Sequence, residues 1–192
     1  VSRSEPSGAR CADCETQPAR IALDGIDLCD QCFDRRIATA TGYSELPEPP
    51  PPESLRGADG RIHQFRYRIW RAPTGIAVEA DEVGRAPDEG YHAKVLGSHE
   101  ADVGRLVTRV RIRLQQRVGH LDLEDRPGWQ PMIAGDALTG RLVWSGQGEP
   151  YDVVVDGRRL TWAEFGRALE PFEGWAFRLI FEDLETVDDG DA

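Results

Sequence analysis

The residues with the clearest chemical meaning are four cysteines. Cys11-Ala-Asp-Cys14 and Cys29-Asp-Gln-Cys32 each place two thiols two residues apart, and fourteen residues separate the pairs. The chain of 192 residues contains no other cysteine. A two-residue spacer lets both sulfurs of a pair turn toward one ion, and two such pairs make the four-thiolate set of a zinc site. Four thiolates fill a tetrahedron and leave no position for water or substrate. The expected metal is therefore one structural Zn2+ held by Cys11, Cys14, Cys29 and Cys32. Two other chemistries use the same residues. A Cys-x-x-Cys pair can act as a redox dithiol, and an oxidising compartment would favour a disulfide framework.

Particular elements must bring the pairs together. Ala19–Leu23 and Ile26–Leu28 are short apolar-rich runs on either side of Asp24-Gly25. Asp-Gly between two such runs predicts a hairpin, because a type I′ turn needs positive φ at both central positions. That hairpin would return Cys29 and Cys32 to the first pair. Phe33, Ile37 and Ala40 then recur at helical spacing, which predicts a helix starting at or near Cys29–Cys32 and ending before Gly42. A module this small buries little apolar surface, so metal, disulfides or a partner must help it fold.

Cysteine knuckle, hairpin and a helix carrying the second pair, over residues 9–42, resemble a treble-clef zinc finger, a close relative of the zinc ribbon. The resemblance implies the same four ligands. Many such knuckles carry Gly after the second Cys; here Glu15 stands there, which bears on how tightly the first turn closes.

A net charge of −11 argues against a general nucleic-acid binder, since phosphate contacts need cationic surface. The acid is uneven, however. Glu182–Asp191 is an acidic tail, expected to be disordered at its end, so a local basic face stays compatible with the total. No stretch is long and apolar enough to span a bilayer, and Val1–Gly8 lacks the apolar run of a signal peptide. The expected location is the cytoplasm, where thiols stay reduced, with no membrane partner. Lys94 as the single lysine among many arginines, and Val1 as a GTG start read literally, point to a GC-rich bacterial genome.

Ser44–Ser54 contains a run of prolines that breaks regular structure and favours polyproline II. It reads as a semi-rigid spacer, and less readily as a ligand for an SH3- or WW-type groove. Beyond it, Phe65, Tyr67 and Ile69 alternate with Gln64, Arg66 and Arg68. With Gly75–Val83 and Tyr91–Leu96 this predicts an antiparallel meander, punctuated by turns at Pro73-Thr-Gly75 and Pro87-Asp-Glu-Gly90. Ala101–Val118 predicts a helix with Val103, Leu106, Val107, Val110, Leu114 and Val118 as its buried stripe and Ser98 or Asp102 as its cap. Arg105, Arg109 and Arg113 form a ridge on that helix, with Arg111 and Arg117 nearby. The ridge is either an anion- or nucleic-acid-facing surface or, the favoured reading, a solvated face paired with surplus carboxylates.

Leu121–Gly135, with Pro127 and Gly128, reads as a loop, and Leu138–Ser145 as a strand ending at Gly146-Gln-Gly148. Tyr151–Val155, an Asp156-Gly157 turn and Arg158–Leu160 predict a second hairpin. Thr161-Trp-Ala-Glu164 is a capping box opening a helix to about Leu169, with Trp162, Phe165 and Leu169 inward. Trp175–Phe181 is expected as a closing strand with Trp175, Phe177, Leu179 and Phe181 on one face. The block Val155–Gly166 with Glu173–Trp175 is similar to one found in uncharacterised bacterial proteins, and no activity comes with that likeness.

His63, His92, His99 and His120 fall into no metal or nucleophile pattern, and no strand–turn–helix nucleophile elbow appears. Carboxylate pairs such as Asp122 with Glu124 are unremarkable in an acidic chain. The sequence thus leans away from an enzyme without deciding the matter. The expected fold class is α+β: a zinc module at 1–43, a proline-rich linker at 44–60, an α+β domain of antiparallel strands with two helices at 61–187, and a disordered tail at 188–192. The expected role is that of a zinc-binding interaction or adaptor protein whose partner is another protein. The alternatives are a nucleic-acid-associated protein, in transcription control or defence against mobile DNA, and an enzyme with its site in the α+β domain.

Overall fold

A computed structural model describes residues 9–181 apart from 73, 87, 126–130 and 148. Several expectations lie outside those residues: the Val1–Gly8 start, Pro73, Pro87, Pro127, Gly128, Gly148 and the acidic tail from Glu182.

Among the described residues, antiparallel sheets and three α-helices make an α+β fold. β1 (Ile21–Leu23) and β2 (Ile26–Leu28) pair as the expected hairpin, with Ile21 opposite Leu28. Asp24 and Gly25 take φ of 51° and 80°, the left-handed pair that this two-residue turn requires. α1 (Asp30–Thr41) follows and ends where Gly42, at φ 76°, sends its N–H back to the Ala38 carbonyl. Its buried face differs from the expected one. Cys32, Phe33, Asp34 and Ala38 are inside, while Ala40 is exposed, because the helix packs on a neighbouring strand as well as on its own hairpin.

The main sheet has the order β3 (Glu53–Arg56), β4 (Ile62–Ala72), β5 (Gly75–Glu82), β6 (His92–Gly97), all antiparallel. β3 lies inside the proline-rich stretch read as a spacer. Its Leu55 faces the core, and the strand adds an edge opposite Ile62–Phe65. Phe65, Tyr67, Ile69, Val78, Ala80 and Val95 form the inner face, and α2 (Val103–Val118) lays Leu106, Val110, Leu114 and Val118 across it. Asp102 caps α2 by accepting the Arg105 N–H at 3.0 Å. On the opposite face, the Lys94 ammonium sits 5.4 Å from the centre of the Trp70 ring.

β3 stops opposite Phe65, and farther along, β4 reaches α1 through two arginines. Arg68 bonds both carboxylate oxygens of Asp30 and also Glu79. Arg71 donates to Asp34 at 2.9 Å, with both side chains buried, and to the Ser44 carbonyl. The second Asp34 oxygen accepts the Leu46 N–H at 2.8 Å, and the Tyr43 ring lies under Arg71 at 4.9 Å.

The C-terminal layer is smaller. β7 (Leu123–Glu124) and β8 (Met132–Ile133) form a short pair, and β9 (Gly140–Gln147), β10 (Glu149–Val155) and β11 (Arg158–Leu160) form a sheet with β10 central. Asp156 and Gly157 repeat the left-handed turn, with φ of 51° and 70°. A Cβ on Gly157 would lie 3.1 Å from the Gly90 backbone carbon, and the Gly157 carbonyl accepts the Gly90 N–H at 2.8 Å. This turn therefore fastens the layer to the chain just before β6.

α3 (Trp162–Ala168) has the expected capping box: Thr161 Oγ1 accepts the Glu164 N–H, and Glu164 accepts the Thr161 N–H. Phe165 packs on Val153, Val155 and Leu160. Trp162 and Leu169, expected inward, are about half exposed, since a seven-residue helix offers only a narrow stripe to a three-stranded sheet. A one-turn 3-10 helix, Glu170–Phe172, follows.

The expected closing strand is not formed. Residues 175–181 have no regular structure, and Phe177 is 91% exposed, with Trp175, Leu179, Ile180 and Phe181 also largely in solvent. The alternating side chains suit a strand, but none of the described strands pairs with this backbone.

Candidate metal centre

The first knuckle is drawn tight by its own backbone. Cys11 N–H donates to the Gln17 carbonyl and Glu15 N–H to the Cys11 carbonyl, each at 2.9 Å, and Ala12 N–H reaches Asp27 of β2 at 2.8 Å. Glu15 takes φ 56°, the left-handed conformation at the position where similar knuckles carry Gly. The turn is thus the glycine-type turn made by a residue for which that backbone is unfavourable, and Arg10 donates to the Glu15 carbonyl. The second pair sits on the first turn of α1, where Phe33 N–H bonds the Cys29 carbonyl. Arg36 ties α1 back to the knuckle through both oxygens of Asp13, at 2.9 and 2.6 Å. That contact holds the Asp13 carboxyl below its ordinary range.

These contacts converge on the sulfurs. Cys11, Cys14, Cys29 and Cys32 place all four Sγ atoms within 4.8 Å of one another, and the group could hold a metal ion. Cys11, Cys29 and Cys32 are buried and Cys14 is half-buried. Without an ion the four thiols would not ionise together. The Thr16 hydroxyl, then the backbone N–H groups of Gln17 and Thr16, bring Cys14 down to about 6. Burial pushes Cys11 up, but N–H groups of Cys29, Cys14 and Asp13 outweigh it and leave that thiol below its ordinary value. Burial raises Cys29 and Cys32, and the neighbouring sulfurs raise Cys32 further. A bound cation would supply the field that makes all four thiolates.

Among the described residues no other group of three or more His, Cys, Asp or Glu could hold an ion. The four histidines are scattered. His63 is buried between Asp59 (3.2 Å) and Glu82 (2.8 Å), His92 bonds Asp81, His120 bonds Asp122, and His99 stacks on Tyr43.

The arginines of α2 have different surroundings. Arg105 is exposed, Arg111 pairs with Glu53 at 2.8 Å, Arg113 donates to the Lys94 carbonyl, and Arg117 donates to the His92 carbonyl. Arg109 lies between them on the same helix, half-buried. Arg113 and Arg117 line a cleft of about 330 Å³ whose other wall is β9, β10 and the Asp156-Gly157 turn. Arg141 of β9 lines it too. Sequence spacing gave no sign of that residue, because only the docking of the two layers brings β9 to the end of α2. Burial shifts the Arg117 guanidinium downward, and Arg113 and Arg141 shift it further; Arg141 is shifted the same way, first by burial.

Residues 47–119 match a family model described as Domain of unknown function (DUF7686), and residues 120–186 match another described as Domain of unknown function (DUF7713). No curated protein and no solved structure matches the chain. Each match spans less than half of the chain, and the cysteine module precedes both. No described helix is long and apolar enough to cross a membrane. The chain is therefore similar to two successive domains that meet at the end of α2, and the cleft lies along that seam.

Proposed function

We propose that this is a zinc-scaffolded interaction protein. Cys11, Cys14, Cys29 and Cys32 hold one structural Zn2+ in a treble-clef-like module, and the protein works by presenting surfaces to another protein in a reducing, cytoplasmic setting. The observation that carries the reading is the closed thiol set. Zinc–sulfur bonds of about 2.3 Å in a tetrahedron set sulfurs about 3.8 Å apart. Cys14 Sγ and Cys29 Sγ stand 3.8 Å apart. With four thiolates bound, no position remains for a substrate, so the metal's contribution is to folding.

The interaction role draws support from the C-terminal layer. Residues 175–181 expose Trp175, Phe177, Leu179, Ile180 and Phe181 on a backbone that pairs with no described strand, a form suited to strand addition to a partner's sheet. The nucleic-acid reading draws less support, because Arg111 of the α2 surface is paired with Glu53 and the net charge is −11.

Metal content and thiol titration of the natively purified chain test the zinc reading. The expected result is about one zinc per chain, with thiols silent until a chelator is added. Metal-free protein with a reactive or oxidised pair would replace it with a redox role. For the interaction role, a protein bound by the wild-type chain is expected to be lost by Phe177→Ser with Phe181→Ser while zinc content stays unchanged. Retention of binding would remove this surface from the reading.

A further inference from the structure

The cleft at the seam holds three guanidinium groups from two elements, Arg113 and Arg117 of α2 and Arg141 of β9. In a chain with 34 acidic and 23 basic residues, clustered arginines would ordinarily gather carboxylates. Arg117 and Arg141 make no ion pair with a carboxylate among the described residues. The contact that Arg117 makes is to a backbone carbonyl, which satisfies one of five donors and none of the charge.

The acids at the cleft are already employed. Asp122 bonds His120 and the Thr139 N–H, and Asp156 accepts the N–H groups of Asp122 and Leu123. Beyond the wall, Asp81 is held by His92, and it and Asp88 only offset part of the Arg141 shift from a distance. Arg117 and Arg141, brought together by folding and partly buried with no carboxylate bonded to either among the described residues, raise the energy of the cleft. An anion placed among them relieves it.

We propose that this cleft is a binding site for the phosphate group of a small phosphorylated ligand, held by Arg113, Arg117 and Arg141. The planar guanidinium fork matches phosphate oxygens, and groups from two elements can meet different faces of one tetrahedral anion. The cleft volume of about 330 Å³ lies at the lower end of ordinary small-ligand sites and suits a compact molecule of mononucleotide size. Because the walls come from the two matched domains, the ligand would bridge them, and its binding would hold the seam closed.

The test is calorimetry and thermal denaturation of the zinc-loaded full chain with inorganic phosphate, pyrophosphate and a panel of mononucleotides. At least one phosphate-bearing probe is expected to bind and raise the melting temperature, with affinity falling as salt rises. Arg141→Ala is expected to weaken that probe about tenfold or more, with Arg141→Lys intermediate because it keeps charge but not the fork. Arg105→Ala, outside the cleft, leaves affinity unchanged. Arg117→Gln repeats the loss if it folds, and Arg141→Ala decides the matter if it does not. Binding of none of these probes at millimolar concentration, or binding equal in wild type and Arg141→Ala, overturns the proposal. Zinc content is read separately, so either result leaves the metal assignment standing or falling on its own.

Discussion

The core of the N-terminal module consists of Cys11, Ile21, Leu28, Cys29, Cys32 and Phe33, and that of the C-terminal layer of Val153, Val155 and Leu160. Neither is large enough to hold a domain by apolar burial alone. The N-terminal module answers with polar fastenings: a thiol cluster inside, Arg36 on Asp13, and Arg68 and Arg71 to the main sheet. The C-terminal layer answers by leaning on its neighbour through the Gly157 turn, and it leaves its remaining apolar surface open. On the face of β9 and β10 that carries Val153 and Val155, Leu142, Trp144 and Tyr151 continue beyond the reach of α3, and Trp144 is 65% exposed. The difference teaches that a small unit can be completed from within or left to be completed from outside, and the second kind is where a partner has something to bind.

The largest expected effect breaks the first kind. Cys29→Ser removes one of the four thiols proposed to hold zinc, and structural zinc contributes about 10–16 kcal/mol in isolated finger peptides. Hydrogen exchange is expected to lose protection across residues 9–42 while the β4 and β5 amides keep theirs. Equal loss in both regions would mean that the module and the main sheet fold as one unit.

Arg71→Ala comes next. It leaves Asp34 buried beside an absent cation, and breaking such a pair costs about 3–5 kcal/mol. A urea titration is expected to show that loss, and adding Asp34→Asn should restore part of it. No recovery would assign the cost to packing rather than to the unpaired charge.

Leu160→Ala breaks the other side. Removing a buried leucine costs about 2–5 kcal/mol. With so small a core the exchange protection of β10 and β11 should fall well before that of β4. A uniform drop would show that the C-terminal layer is better anchored than its core implies.

Thr161→Ala is smaller, about 1 kcal/mol for a lost helix cap. The box also has a pH signature. The Thr161 backbone N–H, then its hydroxyl, hold the Glu164 carboxyl below its ordinary value. A depressed carboxyl stabilises the fold above its unfolded value, and this contribution is lost as pH falls through the folded one. Glu164→Gln is expected to flatten that part of the acid limb in a melting-temperature profile, and an unchanged slope would remove the role.

Local features were legible in the sequence and long-range ones were not. Asp24-Gly25 and Asp156-Gly157 announced their turns, Thr161 its cap, Asp102 its cap as one of two candidates with Ser98, and the valine and leucine stripe its helix, because each depends on residues a few positions apart. The cysteine spacing likewise foretold which thiols gather. Trp175–Phe181 misled, because alternation reports a strand's side chains but not whether an edge is there to receive its backbone. Arg71 and Arg141 were illegible for the same reason: one is explained by a helix 37 residues away in sequence, the other by a helix in the preceding domain. The proline-rich stretch hid β3, since prolines mask a short edge strand that needs only a few backbone bonds.

Lys94 carries the sole side-chain amine of the chain, and that amine rests against the Trp70 indole. Its backbone carbonyl receives Arg113, so the same residue spans the sheet from the outer aromatic to the arginine cleft. An amine-reactive dye would therefore mark one side-chain position, beside a built-in quencher. It would give this protein a single optical gauge of whether the wall behind Arg113 moves when inorganic phosphate is added.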